Sequence, residues 1–314
     1  MYKLPDKQFW CGRIDSEDDE DNFRFHQMVT LKSKEELMKN ERVFSLIGFE
    51  SDEGVKRNNG RIGAASAPNE VRKQLAKIPY NLDRDTRIID IGNVACEHDK
   101  LEKAQQELGE QVAKLLHHSC TPIIIGGGHE TLYGHYLGVR KFIGSGASLG
   151  IINIDAHFDM RESEISSSGT MFKQILDEDQ QAGYLCLGIQ QFGNTKALFN
   201  IAETYGCQYI MEESLTFEYA TKKVIDEFAD KYDYVLLTLC TDSINSSAAP
   251  GVSAPSPFGL DPKLVRSLLG YIVAKENVTS FDISEVNPLL DEDDKTTRLA
   301  AYLIAEVMKS FRRI

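Results

Sequence analysis

The stretch SLGIINIDAHFDMR, Ser148 to Arg161, sets an apolar run directly ahead of Asp155, His157 and Asp159. A short apolar run of this kind is read as a strand of a mostly parallel sheet. In an extended backbone, side chains two apart face the same way, so the two carboxylates and the imidazole are expected to converge on one small volume. Carboxylates that close repel each other unless a cation or a proton neutralises them. The stretch therefore reads as an apolar strand that delivers a charged cluster at its carboxyl end.

Outward from this strand, short apolar runs alternate with segments of helical period, which predicts βαβ units around a mostly parallel sheet. Strands are expected at Val43–Phe49, Arg87–Ile91, Pro122–Ile125, Ser148–Ile154, Tyr184–Gly188, Tyr234–Leu239 and Val278–Ile283. Helices are expected at Leu101–Leu116, Ala197–Tyr205, Lys263–Ala274 and Thr296–Phe311, the last with Leu299, Leu303, Ile304, Val307, Met308 and Phe311 on one stripe. No linker-like segment or repeat divides the chain, so residues 1–314 are read as a single domain.

Ligands of open α/β sheets bind at the carboxyl ends of the strands. After Pro122–Ile125 comes GGGHE with His129, after Tyr234–Leu239 come Cys240 and Asp242, and after Val278–Ile283 comes Glu285 within SEVNP. His129, Asp155, His157, Asp159, Cys240 and Asp242 exceed the four ligands of a closed structural zinc site, and their charge suits two divalent cations. Oxygen-rich coordination favours manganese. Such a pair lowers the pKa of a shared water from about 15.7 towards ~7, so the chemistry expected is metal-assisted hydrolysis.

With 42% apolar residues among 314, the chain can bury a full core, and its net charge of −13 argues against nucleic acid or an anionic membrane as partner. No apolar run approaches the ~20 residues of a spanning helix. Six scattered cysteines without a CxxC pair read as reduced thiols, and a cytoplasmic location is expected.

GGGHE, DAHFD and TDSINSSAAPGVSAP resemble the three metal-site signatures of the ureohydrolase family, which includes arginase, agmatinase and formimidoylglutamase. The resemblance extends from GVKRNNGRIGAASAP (Gly54 to Pro68) through SSGT (Ser167 to Thr170) to SFDISEVNP (Ser280 to Pro288). WCGRID, LIGFESDEGVKRNNGR, DAHFDMR, SSGTMF and APGVSAP favour the formimidoylglutamase branch. The resemblance implies a three-layer α/β/α fold with a mostly parallel central sheet, two Mn2+ ions per subunit and hydrolysis of N-formimidoyl-L-glutamate, a small-molecule substrate, to L-glutamate and formamide. By the same resemblance, His129 and Asp159 would hold one ion, His157 and Asp242 the other, and Asp155 both. Asp159 would also orient the attacking hydroxide, and Glu285 would pair with the formamidinium group. The family tends towards homo-oligomers.

Two positions depart from arginase-like members: Cys240 replaces a bridging Asp, and Phe172 replaces a His that could relay protons. Cys240 is read as a softer ligand and Phe172 as an argument against guanidine hydrolysis. Arg161 suits a substrate carboxylate, with Ser168, Gly169 and Thr170 as further hydrogen-bonding groups; the alternative for Arg161 is an ion pair with Glu162 or Glu164. His117, His118, Cys120 and His135 are read as structural, and Asp52, Arg57, Asn58 and Arg61 as a polar loop at the mouth. Two rival readings stay open: a ureohydrolase acting on a guanidino compound, and a non-catalytic relative with an impaired metal site.

Overall fold

The computed structural model describes residues 1–38 and 43–312. Among these, ten strands form one sheet: β1 (Tyr2–Lys3), β2 (Val29–Leu31), β3 (Phe44–Glu50), β4 (Ile88–Ala95), β5 (Thr121–Ile125), β6 (Leu149–Ile154), β7 (Ala182–Ile189), β8 (Gln208–Met211), β9 (Tyr234–Cys240) and β10 (Val278–Ser284). Their order is β1, β4, β3, β5, β10, β9, β6, β7, β8, with β2 also paired to β4. The strands run parallel except for β1, which is antiparallel to β4.

The helices are α1 (Phe25–Met28), α2 (Glu53–Arg57), α3 (Ala67–Leu75), α4 (Leu101–His117), α5 (Thr131–Ile143), α6 (Met171–Glu178), α7 (Lys196–Thr204), α8 (Tyr219–Ala229), α9 (Pro262–Val273) and α10 (Lys295–Ser310). Alternate residues of each central strand feed opposite cores. Leu46, Ile123, Ile152, Leu237 and Phe281 pack with α3, α8, α9 and α10, whereas Ile47, Ile124, Ile151 and Leu236 pack with α4, α5, α6 and α7. The result is three layers, and it explains why these strands lack a polar face.

Local chemistry sets the helices. Asp261 caps α9 by accepting the Lys263 N–H (2.7 Å), and Pro262 opens the first turn. The stripe on α10 buries Leu303, Ile304, Val307 and Met308, each worth about 1.5–3 kcal/mol when fully covered. Helices α4 and α5 approach closely because glycines leave room: a Cβ at Gly138 would lie 2.5 Å from that of Val112. In the sheet, Arg72 of α3 forms a fully buried bidentate pair with Asp90 of β4, which also accepts the Trp10 indole N–H (2.7 Å).

The expected strands and helices are all present, with ends shifted by a residue or a few. The short strands β1, β2 and β8 were not anticipated, because two to four residues with partial exposure carry no measurable periodicity. All six cysteines are free thiols. No helix among the described residues is long and apolar enough to cross a membrane. Strands β5 and β6, consecutive in the chain, are separated in the sheet by β10 and β9, and the carboxyl ends of these four strands border one cleft.

Candidate active site

Beyond β5, Gly127 packs so tightly that a Cβ would stand 1.9 Å from the Ser51 carbonyl oxygen, which restricts the position to glycine. His129 follows two residues before α5 begins, and its backbone N–H donates to Glu285 Oε1 (2.8 Å). Beyond β6 the chain does not continue as a strand, contrary to the reading of Asp155, His157 and Asp159 as alternating extended residues. It bends at Ala156 and His157, and Asp159 adopts a left-handed φ of +48°. One local and two long-range hydrogen-bonding contacts turn the backbone: His157 N–H donates to Asp155 Oδ1 (2.9 Å), and Asn194 clasps Phe158 N–H (3.0 Å) and the Ala156 carbonyl (2.9 Å). The three side chains converge nonetheless.

His129 Nδ1 lies 2.9 Å from Asp159 Oδ2 and 3.1 Å from Asp155 Oδ2. His157 Nδ1 lies 3.5 Å from Asp155 Oδ1 and 3.4 Å from Asp242 Oδ2, and the Cys240 thiol donates to Asp242 Oδ1 (2.9 Å). Two clusters result, His129–Asp155–Cys240 and Asp155–His157–Asp242, each with donor atoms within 4.8 Å of one another. Asp155 belongs to both. All six residues read from the sequence as ligands are therefore gathered together, five of them lining one cleft and Asp155 buried beneath it, with Glu285 beside them in a left-handed turn (φ +69°).

The electrostatics show what the cluster lacks. Burial, reinforced by the Asp155 charge, pushes the Asp159 carboxyl up; burial and the Asp242 charge do the same to Glu285, and burial with surrounding carboxylates to the Cys240 thiol. Burial alone would lower the imidazoles, yet their carboxylate neighbours hold both His129 and His157 well above the usual range. Burial would likewise raise Asp155, but hydrogen bonds from the two histidines outweigh it and keep that carboxyl low. Acid-rich surroundings thus hold protons where cations would serve. Two imidazoles, three carboxylates and a thiol are a donor set that fits divalent transition metals.

Above the cluster is a cleft of about 300 Å³, lined by Asn58, Arg61, Arg161, Ser168 and Asn194 among others. Arg161 donates to Asn58 Oδ1 (2.9 Å), and among the described residues it pairs with neither Glu162 nor Glu164. Ser168 lines the cleft, whereas Gly169 and Thr170 do not. The Thr170 hydroxyl is closed on Ser167, accepting its N–H (3.0 Å), and the Gly169 carbonyl accepts Arg161 N–H (2.9 Å), so both shape the loop from behind. Arg61 is fixed over the cleft by the Val252 and Ser253 carbonyls (2.8 and 2.9 Å). Arg57 points away, bonded to Glu102 (2.6 Å). Phe172 is buried, stacked on Tyr184 at 3.9 Å, and leaves no titratable group at that position. Asn194 was missed because nothing in GN, Gly193–Asn194, marks it beyond a turn.

The model of the Arginase family matches residues 42–309. The chain is 56% identical over 317 aligned positions to the formimidoylglutamase of Geobacillus sp. (strain WCH70), covering 100% of this chain and 98% of that protein. It is 52% identical to the formimidoylglutamase of Geobacillus thermodenitrificans, covering 100% and 99%. Among solved structures, it superposes on formimidoylglutamase from Bacillus subtilis with a TM-score of 0.82 at 23% identity, covering 94% of each chain. On Trypanosoma cruzi formiminoglutamase with Mn2+, the TM-score is 0.78 at 24% identity, covering 89% and 98%. With the family model matching residues 42–309 and its full length matched by such relatives, the chain belongs to the arginase family.

Proposed function

We propose that this chain is a manganese-dependent formimidoylglutamase, which hydrolyses N-formimidoyl-L-glutamate to L-glutamate and formamide, with residues 1–314 acting as one catalytic unit. The observation that carries the reading is the pair of ligand clusters sharing Asp155 beneath a cleft rimmed by arginines. His129, Asp159 and Cys240 would hold one ion and His157 and Asp242 the other, with Asp155 common to both. When bound, the two ions supply Lewis acidity and an ionised water at neutral pH.

The chain's own residues then orient the reaction. Glu285, held by the His129 N–H, presents a carboxylate for the cationic formamidinium, fixing the electrophilic carbon over the cluster. Asp159, at the junction of cluster and cleft, accepts a hydrogen bond from the attacking water and aims its lone pair. Arg161 and Ser168 face the glutamate portion. In so acidic a chain, the Arg161 guanidinium supplies the attraction that the overall charge does not.

The test is release of product with manganese present: formamide and glutamate in equal amounts support the reading, and urea from a guanidino compound without formamide overturns it. If Arg161 binds a substrate carboxylate, Arg161→Ala raises KM roughly 10–100-fold, the range of a lost charged hydrogen bond, with little change in kcat. An unchanged KM in steady-state kinetics would remove Arg161 from the site. Cys240→Asp supplies a hard oxygen donor, so manganese affinity by titration is expected to hold or rise; loss of metal would show a geometry built for sulfur.

A further inference from the structure

Behind the candidate ligands runs a line of buried polar groups that an apolar sheet does not require. His129 Nε2, the nitrogen turned away from the cluster, lies 3.1 Å from Thr238 Oγ1. Thr238 Oγ1 lies 2.8 Å from Asp282 Oδ1, the two residues being register partners on β9 and β10. Asp282 Oδ2 contacts His135 Nδ1 at 2.7 Å, and His135 Nε2 contacts Ser280 Oγ at 2.6 Å. Thr238, Asp282, His135 and Ser280 are all fully buried. His135, read from the sequence as packing, is thus a hydrogen-bonding partner of a carboxylate inside the sheet.

The polarity of this line follows from what each group can do. An ionised carboxylate only accepts hydrogen bonds, so the single Thr238 hydroxyl proton is directed to Asp282. The oxygen of Thr238 then has only lone pairs to offer His129, and Nε2 must carry the hydrogen. In the neutral ring that a metal ion would bind, that leaves the lone pair on Nδ1, the nitrogen facing Asp155 and Asp159. From the far side, His135 and Ser284 Oγ (3.3 Å) complete the shell of Asp282 and hold it in place.

We propose that Asp282, acting through Thr238, is a positioning residue that sets the tautomer and ring orientation of His129 so that Nδ1 is presented to a metal ion. The proposal rests on His129 being a ligand. Outer groups of this kind typically tune metal affinity 10–100-fold. Asp282→Asn makes the argument directional: an amide nitrogen can donate to Thr238, whose proton is then free to point at His129 Nε2 and favour the opposite tautomer.

Manganese binding by electron paramagnetic resonance of the free ion, on the full chain, tests this without recourse to turnover. Thr238→Val is expected to weaken one of the two manganese sites roughly 10–100-fold, Asp282→Asn to weaken the same site, and Thr238→Ser to restore it to near wild type. The unfolding midpoint of metal-free Thr238→Val should match that of Thr238→Ser, separating positioning from stability. His129→Ala serves as the reference. If it loses an ion while Thr238→Val binds both with wild-type affinity, the positioning role is overturned and the ligand role stands. If His129→Ala keeps both ions, the ligand role falls and this inference with it.

Discussion

Asp155→Ala is expected to lose manganese binding and hydrolysis together while the protein stays folded. Asp155 is fully buried, belongs to both ligand clusters, and accepts hydrogen bonds from His157 N–H (2.9 Å) and Asn153 Nδ2 (3.2 Å). Removing it takes a donor from both ion positions, so the loss should exceed the roughly 10–100-fold typical of changes behind the ligands. The fold survives because the strand before it is anchored by Ile151, Ile152 and Ile154, none of which touches solvent. Metal content per subunit, turnover and circular dichroism read the three parts of this expectation. Wild-type turnover in the variant would remove Asp155 from its shared position.

The second large effect lies far from the cleft. Asp90→Ala should destabilise the protein by about 3–5 kcal/mol, the range for removing one partner of a buried ion pair. Arg72 and Asp90 are each 1% exposed in their side chains, with two direct contacts of 2.8 Å between them. Arg72 also bonds Asn93 Oδ1 (2.6 Å) and the Gly92 carbonyl (2.9 Å), but neither neutralises its charge. The truncation also strips the Trp10 indole of its acceptor and so loosens the N-terminal segment. Replacing both partners together, Arg72→Met with Asp90→Leu, should cost much less, since a buried pair exchanged for apolar groups is often nearly neutral. Urea unfolding of the two variants measures the contrast; a loss under 1 kcal/mol for Asp90→Ala would show that water reaches Arg72.

These residues mark where the sequence is legible. Strands such as Leu149–Ile154 and Thr121–Ile125 announce themselves because burial on both faces forces a largely apolar run, and the ligands stand out because charge rarely follows such a run by chance. Arg72, Thr238 and Asp282 give no such sign. Their partners are set by sheet register and helix placement, which only the assembled fold determines. The bend that gathers Asp155, His157 and Asp159 was invisible for a related reason: it depends on Asn194, 35 residues beyond Asp159, reaching back to the backbone of Ala156 and Phe158. Convergence could be inferred from residue type, but the path to it could not. Gly169 and Thr170 were assigned to substrate on the strength of SSGT, whereas their hydrogen bonds shape the loop from which Ser168 reaches the cleft.

The most direct test of the two-ion site is anomalous diffraction at the manganese edge from crystals grown with saturating Mn2+. Two peaks are expected on either side of the Asp155 carboxylate, one beside His129 and Asp159 and the other beside His157 and Asp242. No peak at these side chains, or a single ion that leaves either histidine unligated, would contradict it.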